Sequence, residues 1–214
     1  SEPVTLFQAM DPIDSSKIRR ILVTRTDRIG DLVLSTPVFS AIKRRYPRSH
    51  LAVLVFKELE PVVRGNPWID QILVYDKTGN CRSWLRTFWY GLNLRDEHFD
   101  AAIHLHATNR VNFISWLARI PVRIGYRVKQ GDRHGNFHQF LTHAVEEKKW
   151  QGNKHEAEYN FDLLSLIDVP KPERLELYFP LWPSDRGALR QLWPSEPDVS
   201  YVVFHPSASC ISKR

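Results

Sequence analysis

An aspartate that directly follows a glycine, at positions 31 and 30, stands where the sequence is best suited to chemistry. Residues 19–24 form a short apolar run with β-branched side chains, which indicates a buried parallel strand, and residues 25–31 form a polar turn. In doubly wound folds, ligands bind at the carboxyl ends of such strands, where a glycine lets the backbone approach them. Position alone also allows a simpler interpretation, in which Asp31 stabilises a helix dipole by roughly a few tenths of a kcal/mol. One glycine does not make the three-glycine dinucleotide fingerprint, so dinucleotide binding is not predicted.

Basic side chains are the second group that points to a ligand. The chain has 30 Lys and Arg against 24 Asp and Glu, a formal charge of +6 and a pI of about 9.4. This excess favours phosphates, anionic lipid headgroups or nucleic acid without choosing among them. Seven basic residues lie near predicted strand ends or in the loops that follow: Arg25, Arg28, Lys57, Arg64, Arg110, Arg123 and Arg127.

Histidines raise the alternative of a metal site. His104 and His106 are two apart in a predicted strand, a spacing that places both side chains on the same side, and three more lie in a polar stretch at positions 134, 138 and 143. No cysteine or carboxylate set completes a group of ligands around them. We therefore predict no metal site.

Alternating strands and helices must position these residues. Buried-strand patterns recur at residues 19–24, 50–56, 71–75, 99–106 and 122–125. Helical spacing lies between them, so the fold class is α/β, a Rossmann-like doubly wound parallel sheet. Thr36-Pro37 either restarts the first helix or kinks it. The aromatic segment 82–90 has helical spacing and is predicted to pack in the core, and residues 131–154 are predicted to form an extended loop or an irregular crossover.

Composition shifts along the chain predict its domain organisation. We expect a flexible lead-in at residues 1–17, a domain at 18–169 and a proline-rich connection at 170–199. Residues 200–214 read as the first strand and loop of a second α/β domain, most of which is missing. Two distant cysteines indicate a reducing, cytoplasmic setting, and no apolar run approaches the ~20 residues that cross a bilayer.

Residues 21–47 closely resemble the opening of glycosyltransferase family 9, the heptosyltransferases of lipopolysaccharide core synthesis. They share with it an apolar strand, a polar turn, the Gly30-Asp31 pair, an apolar stretch ending in Thr36-Pro37 and a helix closing at Tyr46-Pro47. The resemblance continues at residues 99–103, 123–125, 155–158 and 204–213. The family often has an arginine soon after the third of these segments, where this chain has Tyr159 and Asn160.

The resemblance implies the N-terminal lobe of a two-lobed, GT-B-type inverting glycosyltransferase that needs no metal and no cofactor. That lobe takes the acceptor, and the other lobe takes a nucleotide sugar, usually ADP-heptose. The family's base aspartate matches Asp31, and a basic residue that helps the acceptor or the transition state matches Arg110. Further expected contacts are Arg28 and Arg123 to the acceptor, and Gly30, Ser207, Ser209 and Lys213 to the donor.

The chemistry of an inverting transfer is consistent with those residue types. A base removes the proton of the acceptor hydroxyl while a nucleotide diphosphate leaves, and Lys213 with backbone amides would neutralise the leaving group. An inner-core acceptor is an acidic, lipid-linked saccharide, which suits an arginine-lined cleft. We expect a cytoplasmic monomer that associates peripherally with the inner leaflet of the inner membrane.

Two other functions stay open at this stage. If the chain ends naturally at residue 214, it would be an acceptor-binding module without catalysis. A basic nucleic-acid-binding protein is the other, supported by the pI and the basic, aromatic segment 82–90, but the sequence contains no recognised nucleic-acid motif.

Overall fold

The computed structural model describes residues 12–76, 79, 83–106, 108–127, 137–148, 152–192 and 202. The chain divides into two compact units, Ser1–Pro180 and Leu181–Arg214. The division falls inside the proline-rich segment 170–199 that the sequence predicts as a connection.

A six-stranded parallel sheet forms the centre of the first unit. Its strands are β1 (Arg20–Arg25), β2 (His50–Phe56), β3 (Gln71–Tyr75), β4 (Ala101–His104), β5 (Val122–Arg127) and β6 (His143–Glu146). Their spatial order is β3-β2-β1-β4-β5-β6, and every neighbouring pair is parallel. The predicted α/β class with a doubly wound parallel sheet is confirmed.

Helices of the first unit lie between these strands, namely α1 (Ile29–Val33), α2 (Thr36–Arg45), α3 (Glu60–Val63), α4 (Trp84–Asn93) and α5 (Asn109–Leu117), and a further helix, α6 (Glu156–Leu164), follows β6. Of the two options at Thr36-Pro37, the restart is observed: α1 ends at Val33 and α2 begins at Thr36 with the proline in its first turn, where the missing N–H costs no helical hydrogen bond.

Both faces of the sheet are buried at its central strands β1, β2 and β4, which is why these strands read as continuous apolar runs. In β1, Ile21 and Val23 face one apolar cluster together with Phe39 of α2 and Leu163 of α6. Leu22 faces the opposite cluster, which lies under α4 and α5. The sheet is therefore held from both sides, and the edge at the carboxyl ends of its central strands has a fixed shape.

Residues 131–154, predicted to form an extended loop or an irregular crossover, contain a strand that the sequence did not predict, β6. The strand has the sequence His-Ala-Val-Glu, and only Val145 of the four is buried. A single buried residue gives no apolar run for a sequence pattern to detect. Pairing with β5 specifies the strand instead, and it is extended by hydrogen bonds from the Thr142 N–H to the Arg123 carbonyl (2.9 Å) and from Glu147 to Arg127 (3.0 Å).

The prediction that the aromatic residues of segment 82–90 pack in the core was wrong for Trp84, Phe88 and Trp89, which are exposed, and was confirmed in part for Tyr90, which packs against the core beside Tyr75. In α4, Thr87 and Gly91 are the buried residues. Gly91 explains the difference, because a Cβ added there would lie 2.9 Å from Leu117 Cβ of α5. Small residues thus let α4 approach α5 closely, and the aromatic side of the helix faces outward.

The second unit contains α7 (Pro183–Leu192), which lies within the segment 170–199 that the sequence predicts as a connection. The carboxylate of Asp185 accepts a hydrogen bond from the Trp182 N–H (2.9 Å) at the start of this helix. Apart from the exposed Val202, the strand and loop predicted at residues 200–214 lie outside the described residues. No helix in the described part of the chain is long and apolar enough to cross a membrane.

Candidate functional site at the carboxyl edge of β1 and β4

The strand order reverses between β1 and β4, which are paired in the middle of the sheet. At such a reversal the connections leave toward opposite faces, and a crevice opens at the carboxyl ends of the two strands. The turn 26–28 and α1 follow β1 there, and residues 105 and 106 and α5 follow β4. Ligand chemistry is expected at this edge, where the structure places Arg28, Gly30, Asp31 and Arg110.

Arg25, the last residue of β1, is the most heavily bonded side chain of this edge. It is 1% exposed, and its Nε and Nη2 atoms donate to both carboxylate oxygens of Asp27, at 2.7 and 2.8 Å. Its Nη2 also contacts Glu156 of α6 at 3.1 Å, and its Nη1 donates to the Leu105 carbonyl at 3.0 Å. The planar, forked guanidinium suits this bidentate pairing. Arg25 is thus an internal ion-pair centre and not a surface charge available to a ligand.

Asp31 lies in the first turn of α1, beside that centre. One of its carboxylate oxygens is 3.7 Å from Arg25 Nη2, and its side chain is 33% exposed. The helix that carries it has five residues, so its dipole is small, and Arg25 is the nearer fixed positive charge. The carboxylate therefore has an ionic partner on its inner side and access to solvent on its outer side.

Arg28 and Gly30 form the open rim of the same turn. Both are exposed, and no side-chain partner of Arg28 is found among the residues that the structure describes. A Cβ added at Gly30 would meet nothing within 4 Å, and its backbone is helical rather than left-handed. A larger residue at position 30 would therefore fill the open space above it and would not strain the backbone.

Arg110 lies at the start of α5, after β4, and its guanidinium has fixed neighbours. Its Nη1 donates to the hydroxyls of Tyr75 (3.0 Å) and Thr87 (3.1 Å), which are 2.8 Å apart, and its Cζ lies 4.9 Å from the centre of the Trp84 ring. The end of β3 and the start of α4 therefore orient this cation at the carboxyl edge of the sheet.

Arg123 is not brought together with the other candidates. It is the second residue of β5, level with Ala102 of β4, and so lies toward the amino ends of the strands. Its guanidinium donates to the carbonyls of Phe140 (2.6 Å) and Ile120, and burial lowers its pKa. Its contacts fasten the polypeptide around the start of β5, and none is to the edge that holds Asp31.

The two histidines of the fourth strand do not share a site. The strand ends at His104, which is fully buried between the hydroxyls of Thr24 (2.9 Å) and Ser115 (3.0 Å), and burial lowers its pKa to about 3. His106 follows in the loop, partly exposed, with Nδ1 3.5 Å from Asp27. Because the strand ends at His104, the strand alternation does not extend to His106. The prediction that the two side chains lie on the same side was therefore wrong. Within the described ranges, no group of three His, Cys, Asp or Glu side chains is arranged to hold a metal ion.

The expected donor contacts Ser207, Ser209 and Lys213 lie outside the described residues, as does His134. Their roles stay predictions.

Sequence reasoning missed the part played by α6. His155 and Glu158 form a reciprocal capping box at its start, which aims Glu156 at Arg25. One turn further, Asn160 accepts from Arg25 Nη1 (3.3 Å) and donates to the hydroxyl of Ser35 (3.3 Å). The available signal in the sequence was the motif at residues 155–158. It resembles a segment of the family, but the resemblance implies no structural role for it. Asn160 occupies the region where the family often has an arginine.

Comparisons with known proteins agree with this architecture. No family model matches the chain. The chain is 26% identical over 196 residues to lipopolysaccharide heptosyltransferase 3 of Escherichia coli, a match that covers 86% of this chain and 53% of that protein. It is 24% identical over 161 residues to lipooligosaccharide heptosyltransferase 2 of Haemophilus ducreyi, which covers 75% and 44%. The chain spans about half the length of the curated relatives that it matches, from 40% to 53%.

Solved structures show the same fold. A glycosyl transferase family 9 protein from Veillonella parvula aligns with a TM-score of 0.70 at 23% identity, over 87% of this chain and 51% of that one. The ADP-heptose heptosyltransferase II of Escherichia coli aligns with a TM-score of 0.62 at 16% identity, over 84% and 52%. The resemblance of this chain to glycosyltransferase family 9 is therefore confirmed, in sequence by heptosyltransferase relatives and in fold by structures of the family.

Proposed function

We propose that this chain is the acceptor-binding half of an inverting glycosyltransferase that moves a heptose from ADP-heptose to the inner core of lipopolysaccharide. In this proposal the donor half corresponds to the part of the relatives that the chain does not span, arranged as the second lobe of a GT-B-type enzyme. The names of the relatives support heptose as the transferred sugar and lipopolysaccharide as the acceptor.

The observation that carries the proposal is the environment of Asp31. A general base must be open to the acceptor hydroxyl and must also be held in one orientation. The carboxylate of Asp31 is one-third exposed at the carboxyl edge of the sheet and has the buried Arg25 guanidinium 3.7 Å away on its inner side. Open space above the neighbouring Gly30 leaves room for a substrate.

The proposed reaction is a single displacement at the anomeric carbon of the heptose. A carboxylate oxygen of Asp31 takes the proton of the acceptor hydroxyl, whose oxygen forms the new glycosidic bond. The bond to the diphosphate breaks with inversion, and both of its electrons leave with ADP. Lys213 and nearby backbone amides would neutralise the diphosphate, a role that needs no metal ion.

Arginines of the same edge would hold the acidic acceptor. In this proposal the two residues are Arg28, which is exposed on the turn, and Arg110, whose guanidinium is held by Tyr75 and Thr87. Arg123 is a weaker candidate because carbonyl groups already engage its guanidinium. A monomer in the cytoplasm, in peripheral contact with the inner membrane, would meet both a soluble donor and a lipid-linked acceptor.

The decisive experiment measures ADP release by the complete protein, with ADP-heptose and a deacylated inner-core saccharide as substrates. We expect Asp31→Asn to lower kcat by at least about 10²-fold with unchanged folding. Asp14→Asn is the matched control, because Asp14 is an exposed carboxylate at the start of the unit that pairs with Lys17, and it should turn over normally. Near-normal turnover by Asp31→Asn would remove this residue from the mechanism.

Two further arms of the assay test the substrate and the metal. Transfer of another sugar in preference to heptose would replace the proposed donor while leaving the reaction type intact. A chelator should leave the rate unchanged, and loss of transfer that zinc or magnesium restores would contradict the metal-free mechanism.

A further inference from the structure

The outer side of α4 is apolar, although it faces solvent. Four large apolar residues on successive turns of this helix are exposed, and so is one residue of α5. We call this set the aromatic face: Trp84, Leu85, Phe88, Trp89 and Trp116. Leu85 is 68% exposed, Trp89 56% and Trp116 46%. Soluble proteins expose single apolar residues routinely, but a contiguous group of this size marks an interaction surface.

Packing beneath the aromatic face keeps it rigid. Gly91 brings α4 against Leu117 of α5, so the helix cannot rotate its large residues inward without separating from its neighbour. Trp84 packs edge-on against Phe113 at 5.9 Å, and Phe113 stacks on Trp116 at 5.9 Å. The aromatic rings thus form a continuous surface across both helices.

Charge on the two helices has one sign. Neither α4 nor α5 contains an aspartate or a glutamate, and they carry Arg86 and Arg110. Acidic side chains occur just beyond the C-terminal end of α4, where Glu97 is already paired with Arg20 at 3.0 Å. With a chain charge of +6, the aromatic face is complementary to a surface that is apolar within and negative at its boundary.

We propose that the aromatic face is a docking surface for a lipid bilayer with anionic headgroups. Tryptophan and phenylalanine rings insert at the level of the headgroups, and arginines beside them pair with lipid phosphates. A second copy of the chain fits less well, because a symmetric contact would bring the arginines of one copy against those of the other.

This surface borders the proposed acceptor edge. Trp84 belongs to the aromatic face, and its ring lies against the Arg110 guanidinium at 4.9 Å. Docking through α4 would therefore hold the carboxyl edge of the sheet next to the headgroups, where a lipid-linked saccharide begins. The proposal concerns binding alone and requires neither donor nor acceptor, so its test is independent of the transferase assay.

The test is flotation of the full chain with vesicles of phosphatidylcholine, with or without about one-third phosphatidylglycerol. We expect binding to the anionic vesicles that weakens between about 0.1 M and about 0.5 M NaCl, and little binding to neutral ones. Replacing Leu85 and Trp89 by serine should lower the affinity for anionic vesicles at least about tenfold. Trp68→Ser is the matched control, because Trp68 is an exposed tryptophan beside Arg44, in a turn away from the aromatic face, and it should bind like the wild type.

Two results would overturn the proposal directly. One is the absence of wild-type binding to anionic vesicles, and the other is equal binding by the double variant and the wild type. Circular dichroism verifies that the double variant is folded. As a measurement that needs no variant, bromine-labelled lipids should quench the tryptophan fluorescence of the wild type, and unquenched fluorescence would contradict insertion. If sedimentation without lipid shows a wild-type dimer that the double variant loses, the aromatic face is instead a contact between copies.

Discussion

Arg25 ends β1 and Asp31 lies in the first turn of α1, and their charged groups, which are in opposite environments, approach to 3.7 Å. The guanidinium is buried inside the protein, whereas the carboxylate reaches the surface. Asp27 and Glu156 contact the guanidinium more closely, at 2.7 and 3.1 Å, so its position is set without the help of Asp31. The inner residue can therefore act as a fixed reference for the orientation of the outer one.

Removing that inner cation should be costly. We expect Arg25→Met to lower the free energy of unfolding by about 3–5 kcal/mol, because it leaves the nearby carboxylates without their shared partner. Arg25→Lys should lower it less, since it keeps the charge but loses the bidentate contact with Asp27. Urea unfolding of the full chain measures both. The comparison variant Arg64→Met breaks an exposed pair with Glu60 and should cost less than about 1 kcal/mol. Equal costs for Arg25→Met and Arg64→Met would show that the buried centre contributes nothing special.

Two glycines should respond oppositely to alanine. Gly30→Ala meets open space in a helix and should leave stability unchanged or raise it by up to about 1 kcal/mol. If a substrate approaches the backbone there, the same variant raises the KM of the complete enzyme. Gly91→Ala should instead destabilise by about 1–3 kcal/mol, because its Cβ would lie 2.9 Å from Leu117 Cβ and 3.3 Å from Ile114 Cα. Thermal unfolding separates the two, and a stabilised Gly91→Ala would refute the close packing of α4 on α5.

Because His104 is buried, we expect the stability of the fold to depend on pH. Its pKa is about 3 in the folded chain, owing to burial with an added contribution from Arg123, against 6.5 for a free histidine. Between these values the unfolded chain binds the proton and the folded chain does not, so stability falls as the pH drops below about 6.5, by about 1.4 kcal/mol per unit. His104→Gln should lose this slope. Unfolding at pH 7 and pH 5 measures it: the wild type should lose about 2 kcal/mol more than the variant, and parallel losses would contradict the assignment.

Arg110 and the hydroxyl that orients it should differ in their effect on transfer. We expect Arg110→Met to lower kcat/KM of the complete enzyme by about 10²-fold, as for the loss of a preorganised cation, whereas Tyr75→Phe removes one of its two hydroxyl contacts and should cost only a few-fold. Steady-state kinetics with the inner-core acceptor distinguishes the two. If Arg110→Met and Tyr75→Phe have equally small effects, the cluster is structural.

Local patterns in the sequence were sufficient to predict the central strands and to mark Thr36-Pro37 as an interruption of the first helix, because those signals lie within a few neighbouring residues, but they did not choose between a restart and a kink there. They were insufficient for β6, where Val145 alone is buried, and for α4, where helical spacing was correct but did not reveal which side faces the protein. Gly91 decides that side, through a contact with a helix more than twenty residues away.

The candidate site was predicted in part, for the same physical reason. Asp31 was found through a contiguous resemblance, and its role stays a prediction. The pairing of Arg25 with Glu156 joins residues 131 positions apart, which no spacing rule connects. Arg123 was predicted to contact the acceptor near a strand end, but the register places it near the amino end of β5, away from the edge that holds Asp31.

The ion-pair centre at Arg25 joins parts of the first unit that are synthesised at different times. The chain emerges from the ribosome N-terminus first, so β1 and its arginine emerge long before α6. Until residues 156–160 follow, the guanidinium lacks two of its partners, Glu156 and Asn160. The edge that holds Asp31 is therefore completed only after α6 has been synthesised, and a nascent chain that stops short of α6 would be left with an incompletely paired charge at this edge.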